Sequence, residues 1–168
     1  MKTLYIDCSM GAAGDMLTAA LLELLPDPEA FLERLNGLGI PGVSYVRSEE
    51  QKNGIRGTHM CVRIRGTEEE AFHAHPEEQE HHRHHEHRSL KEILDLVDSL
   101  PVRDATRKNI SEVYQLLAEA ESTVHGSQVS EIHFHEVGML DAVADITAVC
   151  LLMEELQPDV ILASPVHV

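Results

Sequence analysis

The pattern of apolar and polar positions along this chain changes period repeatedly, and each change marks an element. Leu4 to Asp7 is a short apolar run that predicts a buried strand, and the small-residue turn Cys8-Ser9-Met10-Gly11-Ala12-Ala13-Gly14 leads into a helix through about Glu23. Asp27-Pro28-Glu29 predicts a helix start, with Asp as N-cap and Pro at the first helical position; the helix runs to Asn36 with Gly37 after it. Asn53-Gly54 between two strand-like runs, 42–52 and 55–65, predicts a hairpin. Its second strand alternates Met60, Val62 and Ile64 with His59, Cys61, Arg63 and Arg65, so one face is buried and one wet, and His59 and Cys61 are read as structural. Ser89-Leu90-Lys91-Glu92 is a capping box opening a helix to about Ser99, with Ile93, Leu94 and Val97 on its apolar face. After Pro101 a longer helix, from about Asp104 to Val124, sets Ile110, Val113, Leu117, Ala120 and Val124 at helical spacing and ends near Gly126. A further helix, from Asp141 to about Leu156, has a run from Val149 to Met153 that reads as buried all round. Past Pro158, Val160-Ile161-Leu162-Ala163 predicts a final buried strand able to lie parallel to the first.

These elements describe a single α/β (or α+β) domain over residues 1–168: a small mixed sheet with a β-hairpin, and several packed helices. With 3 Phe, 3 Tyr and no Trp, aliphatic side chains must fill the core. The chain stops just after its last strand, where an α/β site would normally begin, which raises the expectation that the natural protein continues. The net charge of -16, from 29 acidic against 13 basic residues, argues against nucleic acid or an anionic membrane as partner and favours a cation. Three widely spaced cysteines, Cys8, Cys61 and Cys150, make no Cys-x-x-Cys pair and fit a reducing, cytoplasmic setting. The N-terminal apolar run is too short for a signal peptide, and nothing approaches a membrane span.

Residues 67–88 break the composition. His73, His75, His81, His82, His84, His85 and His87 are interleaved with Glu and almost nothing apolar, which predicts a mobile His-rich loop inserted in the domain. Neutral imidazoles there suit nickel, zinc or copper, as a reservoir or delivery arm rather than a preorganised site. The bland alternative is a tolerated surface insertion.

The segment His133-Phe134-His135-Glu136-Val137-Gly138-Met139-Leu140-Asp141-Ala142-Val143-Ala144-Asp145 carries the densest candidate chemistry. His133 and His135 share one side of an extended segment, and Asp141 and Asp145 stand one turn apart on a helix face, so two imidazoles and two or three carboxylates, counting Glu136, can converge. That donor set suits a borderline divalent ion such as nickel, zinc, manganese or iron. The competing reading is a loop His pair before a helix whose acidic first turn complements the macrodipole. The strand-turn-helix at Asp7 to Asp15 has the geometry of an anion cradle but neither a Walker loop nor a dinucleotide fingerprint. Its own carboxylates imply a bridging metal, and the competing reading is a close helix-strand contact.

Taken together, the Asp7-to-Met16 segment, Gly54-Ile55-Arg56-Gly57, the internal His-rich insertion, and the His133-to-Gly138 run with Asp141 and Asp145 resemble the N-terminal region of the LarC family. This is the nickel insertion protein of lactate racemase cofactor synthesis. The resemblance covers essentially the whole chain, but the family is longer, and its CTP-binding C-terminal part is absent here. It implies a nickel chelatase that places Ni(II) into pyridinium-3,5-bisthiocarboxylic acid mononucleotide to give the nickel-pincer nucleotide, with CTP and Mn(II) in support. Under it, His133 and His135 are metal ligands, Asp141 and Asp145 ligands or base, with Glu136 a further catalytic carboxylate. Asp7, Ser9, Gly11, Gly14 and Asp15 form a pocket for substrate phosphate or a metal. The implied partners are the mononucleotide, the protein's own C-terminal part and lactate racemase apoprotein, and a homo-oligomer is expected. Two other classes compete: a nickel store or metallochaperone built on the His-rich loop, and a metal-dependent phosphohydrolase built on Asp7 and Asp15.

Overall fold

The computed structural model describes residues 1–68, 88–134 and 139–166. In chain order these form β1 (Thr3–Ile6), α1 (Gly14–Leu22), α2 (Pro28–Asn36), β2 (Val43–Lys52), β3 (Ile55–Ile64), β4 (Thr67–Glu68), β5 (Arg88–Ser89), α3 (Leu90–Ser99), α4 (Asp104–His125), a single 3-10 turn (Val129–Glu131), β6 (His133–Phe134), α5 (Leu140–Leu156) and β7 (Val160–Ala163). The mixed α/β architecture is the one the pattern predicts, with the strands divided among small sheets: β1 parallel to β7, β2-β3-β4 antiparallel, and β5 antiparallel to β6.

Local signals account for most boundaries. Asp27 Oδ1 accepts the Ala30 amide at 3.0 Å and Pro28 opens α2. Ser89 and Glu92 satisfy each other's backbone amides at the start of α3. Asn53 (φ 53) and Gly54 (φ 83) both take the left-handed conformation that turns β2 into β3. Gly126, at φ 64, ends α4.

The element everything else surrounds is α5, which has no exposed side chain from Leu140 to Glu154. One side of it, Ala144, Ala148, Leu151 and Leu152, joins a core with α1, α2 and the hairpin. Val143, on another side, joins a second core with Ile93 and Val97 of α3, Ile110, Tyr114 and Ala118 of α4, and Phe134 of β6. Such a helix is apolar nearly all round because it is covered on several sides. Each fully buried Leu or Ile in these cores contributes about 1.5–3 kcal/mol.

Three expectations need correction. The terminal strands are not buried: every residue of β7 is exposed, and β1 alternates exposed with half-buried. A two-stranded sheet leaves open edges, and here Leu4 of β1 packs against the core while β7 faces solvent. The buried stripe of α4 is Thr106, Ile110, Tyr114 and Ala118, at a spacing of four, whereas Ala120 and Val124 lie on surface past the end of the core. In α5, Val149, Cys150 and Met153 are half-buried rather than enclosed. Apart from Thr67, Glu68 and Arg88, the expected His-rich loop lies outside the described residues.

Candidate functional site

The turn after β1 is stitched to the end of β7. Asp7 Oδ1 accepts the Ser9 amide at 3.0 Å and the Ser164 hydroxyl at 3.4 Å, and that hydroxyl accepts the Cys8 amide at 2.8 Å. The Ser9 amide, with help from the Ser9 and Ser164 hydroxyls, holds the exposed Asp7 carboxyl below its ordinary range. Gly11, at φ 97, donates its amide to Cys8 O at 3.1 Å and closes the turn. A β-carbon there would also be strained.

Helix α1 then begins at Gly14 without a side-chain N-cap, since Ala13 has none to offer. Over this bare end lies Asp145 of α5. A β-carbon on Gly14 would stand 2.5 Å from Asp145 Cβ and 2.6 Å from its Oδ2, so the approach of the two helices requires glycine. Asp15, next along, accepts the Met16 amide at 2.8 Å. Burial, reinforced by the charges of Asp15 and Asp141, pushes the Asp145 carboxyl up to about 7. Asp141, one turn earlier on α5, has its Oδ1 buried with no hydrogen-bond partner among the described residues.

Two tyrosines border this acidic seam. Tyr45 of β2 donates to Ala144 O at 2.8 Å, and its phenol is raised by burial and by Asp145. Tyr114 of α4 is raised by burial, then by Asp141 and Asp145, and its hydroxyl is likewise buried without a partner among the described residues. Neither tyrosine was singled out from sequence. The available signal was a polar-tipped ring four residues after Ile110, in line with the apolar stripe.

The structure thus brings Gly14 and Asp15 of the first candidate pocket together with Asp141 and Asp145 of the second, while Asp7, Ser9 and Gly11 serve the turn beside them. His133 is exposed on β6 opposite Ser89, close enough to Glu92 to help keep that carboxyl low behind the dominant Ser89 hydrogen bonds. Phe134 alternates inward and meets Tyr114 edge-on, ring centroids 5.9 Å apart. His135, Glu136 and the seven histidines between 73 and 87 lie outside the described residues. Among the described residues no group of three or more His, Cys, Asp or Glu side chains is placed to hold a metal ion, and no helix is long and apolar enough to cross a membrane. Chemically, the seam offers a carboxyl able to gain or lose a proton near neutrality beside a second, unpaired one. That suits proton abstraction or attraction of a cation and disfavours phosphate.

Comparison with known proteins gives this geometry a context. The chain is 38% identical over 168 residues to the pyridinium-3,5-bisthiocarboxylic acid mononucleotide nickel insertion protein of Lactiplantibacillus plantarum, covering 98% of this chain and 40% of that protein. It is 39% identical to the protein of the same description from Clostridium kluyveri (100% of this chain, 41% of that one) and 36% identical to that from Akkermansia muciniphila (99% and 39%). It therefore spans about two fifths of the length of these relatives. No solved structure matches it. A family model described as nickel insertion protein matches residues 4–168, so with these relatives the chain belongs to the nickel insertion protein family.

Proposed function

We propose that this chain is the N-terminal part of an enzyme that inserts Ni(II) into pyridinium-3,5-bisthiocarboxylic acid mononucleotide, and that Asp145 is its base. The observation that carries the assignment of the base is a buried carboxyl poised near pH 7 over the Gly14 end of α1, in a chain that aligns with about two fifths of the length of proteins described by that activity. Nickel is here a substrate. The family resemblance implies a product with nickel held between two sulfurs and bonded to a ring carbon; that carbon must lose its proton, so the electron pair of the broken C–H bond becomes the metal-carbon bond while Asp145 takes the proton. Asp141, and His133 with His135, are the proposed ligands that present nickel. Mixed nitrogen and oxygen donors release it to soft sulfur more readily than thiolates would. CTP and Mn(II) enter through the family resemblance and are assigned to the portion of the relatives that this chain does not match.

The test is nickel insertion by full-length protein carrying Asp145→Asn, which should fall at least ~100-fold if a general base is lost. Calorimetric nickel titration of this chain lacking Phe72 to His87, with and without His133→Ala and His135→Ala, separates insertion from storage. A store loses all binding with the His-rich segment. An insertion site keeps about one equivalent until the two histidines go. Undiminished insertion by Asp145→Asn would remove Asp145 from the mechanism.

A further inference from the structure

The parallel β1–β7 sheet has the sequence of a buried element and the exposure of a surface one. Neither Thr3–Ile6 nor Val160–Ala163 holds a charged residue, although 25% of the chain is charged. Parallel strands are almost always covered on both faces, which is why they read as unbroken apolar runs. Among the described residues that cover is missing from one face and one edge. The register pairs Leu4 with Ile161 and Tyr5 with Leu162, and side chains alternate along each strand, so the two pairs point to opposite faces. Leu4 packs on the core, which makes its face the inner one. Tyr5 and Leu162 on the outer face are 61% and 52% exposed, and even Ile161 on the inner face is 51% exposed, so β7 overhangs the core. The edge is open too. The Val160 and Ser164 amides donate to Lys2 O and Ile6 O, so by alternation those of Ile161 and Ala163 point away from β1. An uncharged strand edge of this kind is a template for further pairing.

We infer that the β1–β7 sheet is the docking surface for the remainder of the full-length protein: a strand of that remainder pairs along the free edge of β7, and its apolar side chains cover Tyr5 and Leu162. Length supports this occupant. The match covers 40% of the Lactiplantibacillus plantarum relative, which leaves roughly three fifths of that protein to supply the cover. Order along the chain selects the edge, because strands consecutive in sequence are usually neighbours in a sheet, and β7 is the last strand before the remainder. This rests on reading the chain as the N-terminal part of the longer protein, and not on Asp145 or on nickel.

Hydrogen exchange of the wild-type protein, read by mass spectrometry, compares this chain with the full-length protein. The Ile161 and Ala163 amides should exchange freely in this chain and at least ~10-fold more slowly in the full-length protein. Leu162→Cys reports on the outer face. A thiol reagent, read on the peptide that carries residue 162, should label it readily in this chain and at least ~10-fold more slowly in the full-length protein. Equal rates in the two proteins, by either readout, overturn the inference. So does protection already present in this chain that grows with its concentration alongside a dimer in sedimentation, since the surface then belongs to a second copy. No arm involves nickel, so full protection together with undiminished insertion by Asp145→Asn removes the proposed base and leaves the docking surface standing.

Discussion

Asp145 makes stability depend on pH in a direction opposite to that of a salt-bridged carboxylate. Its folded carboxyl titrates at about 7, against an ordinary value of 3.8. Between those values the folded state holds a proton that the unfolded state has released. The protonated seam is therefore fully stabilising below pH ~4, and the advantage is lost as pH rises through about 7. Asp145→Asn should flatten this slope and raise stability at pH 8 by on the order of 2 kcal/mol, read from urea unfolding at several pH values. A wild-type curve flat from pH 5 to 8 would contradict the burial of this group. Gly14→Ala is expected to act the other way. Alanine is ordinarily the better helix former, but here its methyl would meet Asp145 Cβ at 2.5 Å, so the α1-α5 contact must open, at about 1–3 kcal/mol. Thermal unfolding of the two variants side by side checks both signs. The pairing of Asp141 with Asp145 was legible in the sequence because a helix repeats one face every turn. That Gly14 lies under Asp145 was not, since the two stand 131 positions apart in the chain and only tertiary packing joins them.

At the scale of elements, what could be read in advance was whatever is encoded within a few residues. The Asp27 cap, the Asn53-Gly54 turn and the Ser89-Glu92 box each satisfy backbone groups locally, and each falls where expected. Faces were harder. In α4 the pattern offered Val113 and Leu117 as readily as Tyr114 and Ala118, and the choice was made by where α5 lies; β7, apolar in sequence, is left exposed because nothing among the described residues covers it. A long-range polar clamp also escaped the pattern. Near the end of α5, Glu154 accepts from Arg34 of α2 at 3.0 Å, from Arg103 before α4 at 2.7 Å, and from the buried Thr106 hydroxyl. Burial alone would raise its carboxyl, but the two guanidiniums outweigh this and keep it low. Its side chain is 11% exposed, so Glu154→Ala strands several donors and should cost about 2–3 kcal/mol. Urea unfolding measures this, and a loss below ~0.5 kcal/mol would class the clamp with ordinary surface pairs.

Across the whole molecule, charge is the term the fold leaves least compensated. Of 29 acidic residues against 13 basic ones, some are paired, as in Arg34 with Glu155 and Arg47 with Glu29, yet the balance remains at -16. Self-repulsion of that size opposes compaction, and the seam at Asp15, Asp141 and Asp145 concentrates it where water is scarce. Salt acts on two opposing terms. It weakens exposed ion pairs, each worth at most ~1 kcal/mol, and it screens the more numerous unpaired carboxylates, for which the Debye length falls from tens of ångströms at low salt to ~3 Å at 1 M. With acids outnumbering bases more than two to one, screening should win. Raising NaCl from low millimolar to about 0.5 M is therefore expected to raise the unfolding temperature by roughly 2–4 °C, equivalent to about 1 kcal/mol at this size. Asp145→Asn should keep most of that gain, since surface repulsion is shared among many residues. A fall in Tm with salt would mean that the ion pairs, Glu154 with its two arginines foremost, contribute more to this fold than its excess charge takes away.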